Sequence, residues 1–132
     1  MAPEVYTSII TIQEVSVLSF RAGTLVEDNH AKINKLARIQ TITREIALTA
    51  AKLEAIIINK ASPKDRIENN RRRKWDCFHI ATAIQLSCKT VYSLDEGMLA
   101  RREHLSLQTI QFLPPLPGKL DLFQDQDVPR IQ

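Results

Sequence analysis

The sequence predicts an α/β fold in which a mainly parallel sheet is flanked by helices. Two observations lead there. Short, β-rich segments (Val5–Thr7, Arg38–Thr41, Thr90–Leu94 and Thr109–Phe112) alternate with segments whose apolar residues recur at helical spacing. An acid, Asp95, also stands at the carboxyl end of the third such segment, where open α/β sheets bind their ligands.

Taken in order, Val5–Thr7 reads as the end of a short strand. A helix follows, with Ile12, Val15 and Leu18 or Ser19 on one side and Gly23 as its stop. Thr11 and Glu14 have the spacing of a capping box, in which the glutamate folds back onto the helix start. Glu14 therefore has a structural explanation beside a functional one. Glu27–Leu36 is a weaker amphipathic helix, and Arg38–Thr41 a strand. Thr43 is placed to cap a long helix striped by Ile46, Ala50, Leu53 and Ile57, with Glu45 favouring its positive end.

Asn59–Lys74 is polar, with Pro63 and the Asn69–Asn70 pair, and reads as a loop or frayed helix end. Trp75–Cys88 is a helix with two largely apolar faces, so Asp76 near its start is expected in a cleft or interface. Thr90–Leu94 is a strand, and Glu96–Arg102 a short helix that Asp95 is placed to cap. Thr109–Phe112 is the last strand. Residues 113–132 hold four of the six prolines and read as an extended tail after a domain spanning residues 1–112.

The 44% apolar and 25% charged composition is that of an ordinary soluble globular protein of 132 residues, one domain by length. No apolar run approaches the roughly 20 residues of a membrane span, and Met1–Tyr6 lacks the features of a signal peptide. A cytoplasmic location without membrane association is the expectation. On one continuous helix Cys77 and Cys88 would lie about 16 Å apart, beyond the ~7 Å reach of a disulfide. Both are expected to be reduced. The net charge of +3 is modest, but Lys60–Lys74 carries seven Lys/Arg against Asp65 and Glu68. Such a segment either steers a polyanion to one edge or is simply a solvated loop.

Asp76 and Asp95, delivered by neighbouring elements, point to a metal site that handles phosphates. Converging carboxylates repel unless a cation lies between them, and Mg²⁺ takes oxygen ligands, keeps waters and binds substrate phosphates. It can activate water for an in-line phosphoryl displacement. Glu14 joins if its helix start faces the same cleft. Each acid also has a plain explanation: Asp95 as a cap, Asp76 as a first-turn acid on the helix dipole. His79, one turn after Asp76, either orients that acid or contacts a phosphate, or is a satisfied core residue.

At these residues the chain resembles a PIN domain, the ribonuclease fold of VapC-like toxins from type II toxin–antitoxin systems. The resemblance runs from about Val5 to Phe112. It is carried by VYTSIITIQEV (Val5–Val15), ITREIALTAAKL (Ile42–Leu53), DCFHIATAIQLSCKTVYSLD (Asp76–Asp95) and the GMLAR that follows. It implies a three-layer PIN-like fold, with Glu14, Asp76 and Asp95 as catalytic and metal-binding acids. It implies supporting roles for Thr7, Ser8 and His79 around them. The implied activity is Mg²⁺- or Mn²⁺-dependent endonucleolytic cleavage of RNA. Arg71, Arg72, Arg73, Lys74, Arg101 and Arg102 would then contact RNA phosphates. The family also implies a homodimer and, for toxins, a small antitoxin partner.

One departure is large. The family opens with a strand ending in Asp and then a helix, whereas only Met1–Glu4 precede the matching segment here. The expectation is an N-terminally truncated PIN-like fold lacking the first metal-binding Asp. The competing reading is accordingly a catalytically inactive module that binds RNA or a protein. A purely structural α/β domain would bind neither metal nor RNA.

Overall fold

The structure, a computed structural model, describes residues 4–105, 107 and 109–114. Its elements run β1 (Tyr6–Ser8), α1 (Ile9–Ala22), α2 (Val26–Leu36), β2 (Arg38–Gln40), α3 (Arg44–Lys60) and α4 (Pro63–Glu68). They continue with α5 (Asn70–Gln85), β3 (Thr90–Tyr92), α6 (Glu96–His104) and β4 (Gln111–Leu113). The α/β character is as the sequence predicts, and every strand pairing is parallel.

The sheet itself is not continuous. Among the described residues β1 pairs only with β2, in the register Tyr6↔Arg38 to Ser8↔Gln40, and β3 only with β4, from Thr90↔Gln111 to Tyr92↔Leu113. Each strand is three residues long, and among the described residues no ladder joins the two pairs. The helix α5 ties them together by packing on β1 and on β3.

The start of α1 differs from the capping-box reading. Ser8, not Thr11, is its N-cap, its Oγ accepting from the Ile10 N–H at 3.1 Å. The helix therefore begins three residues earlier, with Thr11 inside it, and Glu14 is freed from any capping role. Gly23 ends the helix in the left-handed region, φ 71°, and its N–H returns to the Ser19 carbonyl. Val15, Ile10 and Ile33 are buried in this half, beside a buried pair in which Asn29 donates to the Ser19 hydroxyl.

Thr43 caps α3 as predicted, accepting from the Ile46 N–H at 3.2 Å. Ile46, Ala50, Leu53 and Ile57 all face inward. They form the main core with Cys77, Ile80 and Ala81 of α5, Met98 of α6, and Leu105, Ile110 and Phe112. The small side chains of α5 let α3 approach, and Gln85 Nε2 donates across to Thr49 Oγ1 at 2.8 Å.

The segment read as a loop or frayed helix end carries a short helix of its own and the first turns of the next. Ser62 caps α4 by accepting from the Asp65 N–H at 3.1 Å, with Pro63 in the first turn where its missing donor does no harm. α5 starts at Asn70, so the basic run lies on its first turns. It ends at Gln85, and Ser87 turns the chain with φ 55°. Cys88 thus lies beyond the helix. Both cysteines are free, Cys77 buried and Cys88 half-buried. Leu113 belongs to β4 rather than to the tail, and residues 115–132 of that expected tail lie outside the described residues.

Candidate active site

Three elements deliver the three acids. Glu14 projects from the middle of α1, Asp76 from α5, and Asp95 from the junction between β3 and α6. The acids are linked through α5. Glu14 Oε1 lies 2.8 Å from His79 Nε2, and His79 stands one helical turn from Asp76. Asp76 in turn lies close enough to Asp95 to feel its charge.

Asp76 is buried, at 5% exposure. Burial is the main cause that raises its carboxyl above the usual value. The hydrogen bond and charge of Arg101 oppose that shift, the Asp95 charge adds to it, and the His79 charge lowers it. Arg101 Nε donates to Asp76 Oδ2 at 3.2 Å, and both side chains are largely buried, at 11% and 7% exposure.

Asp95 takes the capping role that its position predicts, its Oδ1 accepting from the Gly97 N–H at 2.8 Å. Its other oxygen lies 3.9 Å from Arg72 Nε, on the exposed side. A side chain at position 97 would crowd this cap, because its Cβ would stand 3.1 Å from Asp95 Oδ1.

Each acid therefore has its own cationic or imidazole partner: His79 for Glu14, Arg101 for Asp76 and Arg72 for Asp95. The carboxylate chemistry suits a hard divalent ion, but the arrangement does not. Among the described residues no three His, Cys, Asp or Glu side chains are grouped so that they could hold a metal ion.

The remaining predicted residues divide sharply. Thr7 Oγ1 donates to Thr11 Oγ1 at 2.7 Å and Ser8 caps α1, so both act at the β1–α1 junction that sets the direction of Glu14. His79 is not a core residue; it is hydrogen-bonded to Glu14, and Asp76 feels its charge. Arg71, Arg72, Lys74 and Arg102 are exposed. Arg73 and Arg101 are not, which corrects their reading as RNA contacts.

Arg73 turns inward because its position on α5 faces α3. Its Nε lies 3.6 Å from Glu54 Oε2, and its Nη2 donates to the Arg66 carbonyl and to Asn70 Oδ1. The partnerships of Glu54, Arg72 and Arg101 had no signal at local sequence spacing. The partners lie 19, 23 and 25 residues away, respectively, along the chain.

No described helix is long and apolar enough to cross a membrane. A search of curated proteins returns no match to this chain. The PIN domain family model matches residues 1–104. Parallel strands between helices, with acids gathered around α5, agree with that match, and the chain belongs to the PIN domain family, a family generally of metal-dependent nucleases.

Proposed function

We propose that this PIN domain is an endoribonuclease that cleaves RNA phosphodiester bonds with Mg²⁺ or Mn²⁺, and that Glu14, Asp76 and Asp95 are its acids. The observation that carries this reading is the electrostatic chain from Glu14 through His79 and Asp76 to Asp95, assembled from three separate elements. A basic surface beside it supports RNA as the substrate. Arg71, Arg72 and Lys74 on α5, which carries Asp76, and Arg102 on α6, which follows Asp95, are exposed. Phosphate attraction of this kind supplies most non-specific affinity and weakens steeply with salt. In this reading the protein is a toxin-type nuclease of the cytoplasm, acting as a homodimer and held in check by a small antitoxin protein.

The test is cleavage of an end-labelled single-stranded RNA in Mn²⁺ or Mg²⁺, comparing the wild-type chain with Asp76→Asn after circular dichroism confirms that both are folded. Cleavage should require the metal and vanish in the variant. Undiminished cleavage by Asp76→Asn in the presence of a chelator sinks the reading.

A second reading is a PIN module that binds RNA or a protein without turnover. It is favoured by the pairing of all three acids within the chain. Salt-sensitive RNA binding with no cleavage in either metal would select it.

A further inference from the structure

Successive side chains of a strand point to opposite faces of its sheet. Val91 and Phe112 are register partners in β3 and β4, and both pack into the main core. Tyr92 and Leu113, the next pair, therefore stand on the other face, where they are 45% and 42% exposed beside exposed Gln111. Leu94, 74% exposed, continues the apolar surface along the chain towards Asp95.

Size and charge indicate what this face takes. Two strands of three residues make a surface about 10 Å long, with the strands about 5 Å apart. That is the scale of a nucleobase, far below the roughly 800 Å² that each partner gives to a stable protein interface. Lys89 and Asp95 each lie three residues from Tyr92, at most about 11 Å away along the chain. Lys89 is exposed, and Arg72 stands beside Asp95 in a long pair of 3.9 Å with its side chain 60% exposed. Such a pair holds its guanidinium weakly and leaves it open to a second anion. An exposed aromatic ring between two accessible cations suits a single strand, whose bases stack while its phosphates meet positive charge.

We propose that the outer face of β3 and β4 is a base-stacking subsite for single-stranded RNA, with a nucleobase on the Tyr92 ring beside Leu113 and neighbouring phosphates at Arg72 and Lys89. The proposal rests on the reading of RNA as the substrate and adds a means of holding a strand beside Asp95.

The experiment is fluorescence anisotropy of the whole chain with two labelled probes in EDTA, where metal-dependent cleavage does not intervene. One is single-stranded oligoadenylate, and the other is the same sugar–phosphate chain without bases. Tyr92→Ala and Tyr92→Leu should each weaken oligoadenylate binding by about five- to a hundredfold and leave the abasic probe unchanged. Tyr92→Leu keeps apolar bulk against Leu113, and Tyr92→Phe should bind as wild type does. Arg72→Gln should weaken both probes and make binding less dependent on salt. Phe20→Ala, which removes an exposed aromatic from α1, should change neither.

Equal oligoadenylate affinity for wild type, Tyr92→Ala and Tyr92→Leu overturns the proposal, as does equal loss on both probes or no binding by wild type. A Tyr92→Ala chain that changes its sedimentation but keeps its RNA affinity also overturns it, assigning the face to a protein contact. Failure of cleavage in Mn²⁺ with base-dependent binding intact would refute the nuclease reading and leave the subsite standing.

Discussion

The buried pair of Arg73 and Glu54 supports an asymmetric prediction. The Arg73 side chain is 4% exposed and Glu54 20%, with 3.6 Å between Nε and Oε2. Arg73 Nε and Nη1 are buried without hydrogen-bond partners, so the attraction of Glu54 is their main compensation. Glu54→Gln keeps the shape of that side chain but strands a guanidinium in the interior. Breaking a buried pair in this way costs about 3–5 kcal/mol. The partial exposure of Glu54 places the expected loss near the lower end, at about 3 kcal/mol.

Arg73→Met removes the other partner and leaves an apolar chain of similar length, while Glu54 can turn towards water. Its cost should be about 1 kcal/mol. The double variant should be no less stable than Arg73→Met, giving a coupling energy of about 2–3 kcal/mol. Urea unfolding followed by far-UV circular dichroism resolves these differences against a total stability of about 5–15 kcal/mol. A Glu54→Gln chain within about 0.5 kcal/mol of wild type, or less costly than Arg73→Met, would refute the reasoning.

Three further outcomes are expected. Ser8→Ala should lower stability by about 1 kcal/mol in urea unfolding, whereas Thr11→Ala should show no capping loss, because Ser8 holds the cap. Burial pushes the Cys77 thiol up to about 12, so a thiol reagent should label Cys88 well before Cys77 in the native chain and both at similar rates in urea. The folded chain keeps the Cys77 proton that the unfolded chain releases near its ordinary value of 9.0, so this group's contribution falls as pH rises from about 9 towards 12. Unfolding measured across that range should show a shallower alkaline loss in Cys77→Ala than in wild type.

The parts of the fold legible in the sequence are those decided by local chemistry. Thr43, the stripe from Ile46 to Ile57, and the stop at Gly23 all act within a few residues of themselves, and the structure has each in that role. Asp95 likewise caps α6 from the position that suggested it. The start of α1 was hidden because Ser8 precedes Ile9 and Ile10, and β-branched residues there resemble a continuing strand. The first turns of α5 were hidden for a different reason. A basic run reads as solvated surface unless an acid elsewhere draws one member inward, and Glu54 does so from α3. The acids at the site were visible as residue types on predicted elements. Their partners were not, since long-range ion pairs leave no local periodicity, and the pairing of Glu14 with His79 across 65 residues is the clearest case.

The two strand pairs also divide the protein's cooperativity. β1, α1, α2 and β2 enclose only a small apolar group around Ile10, Val15 and Ile33, while the larger core belongs to α3, α5, α6, β3 and β4. Although α5 packs on β1 and α1, a unit with so small a core of its own is expected to open at lower free energy than the larger one. Glu14 is carried by the smaller unit, and Asp76 and Asp95 by the larger. A subglobal opening of the first unit would therefore withdraw one acid while the amides of α3 and α5 stay protected from hydrogen exchange. Mild heating can in this way dismantle the acid set of a protein whose main body remains folded.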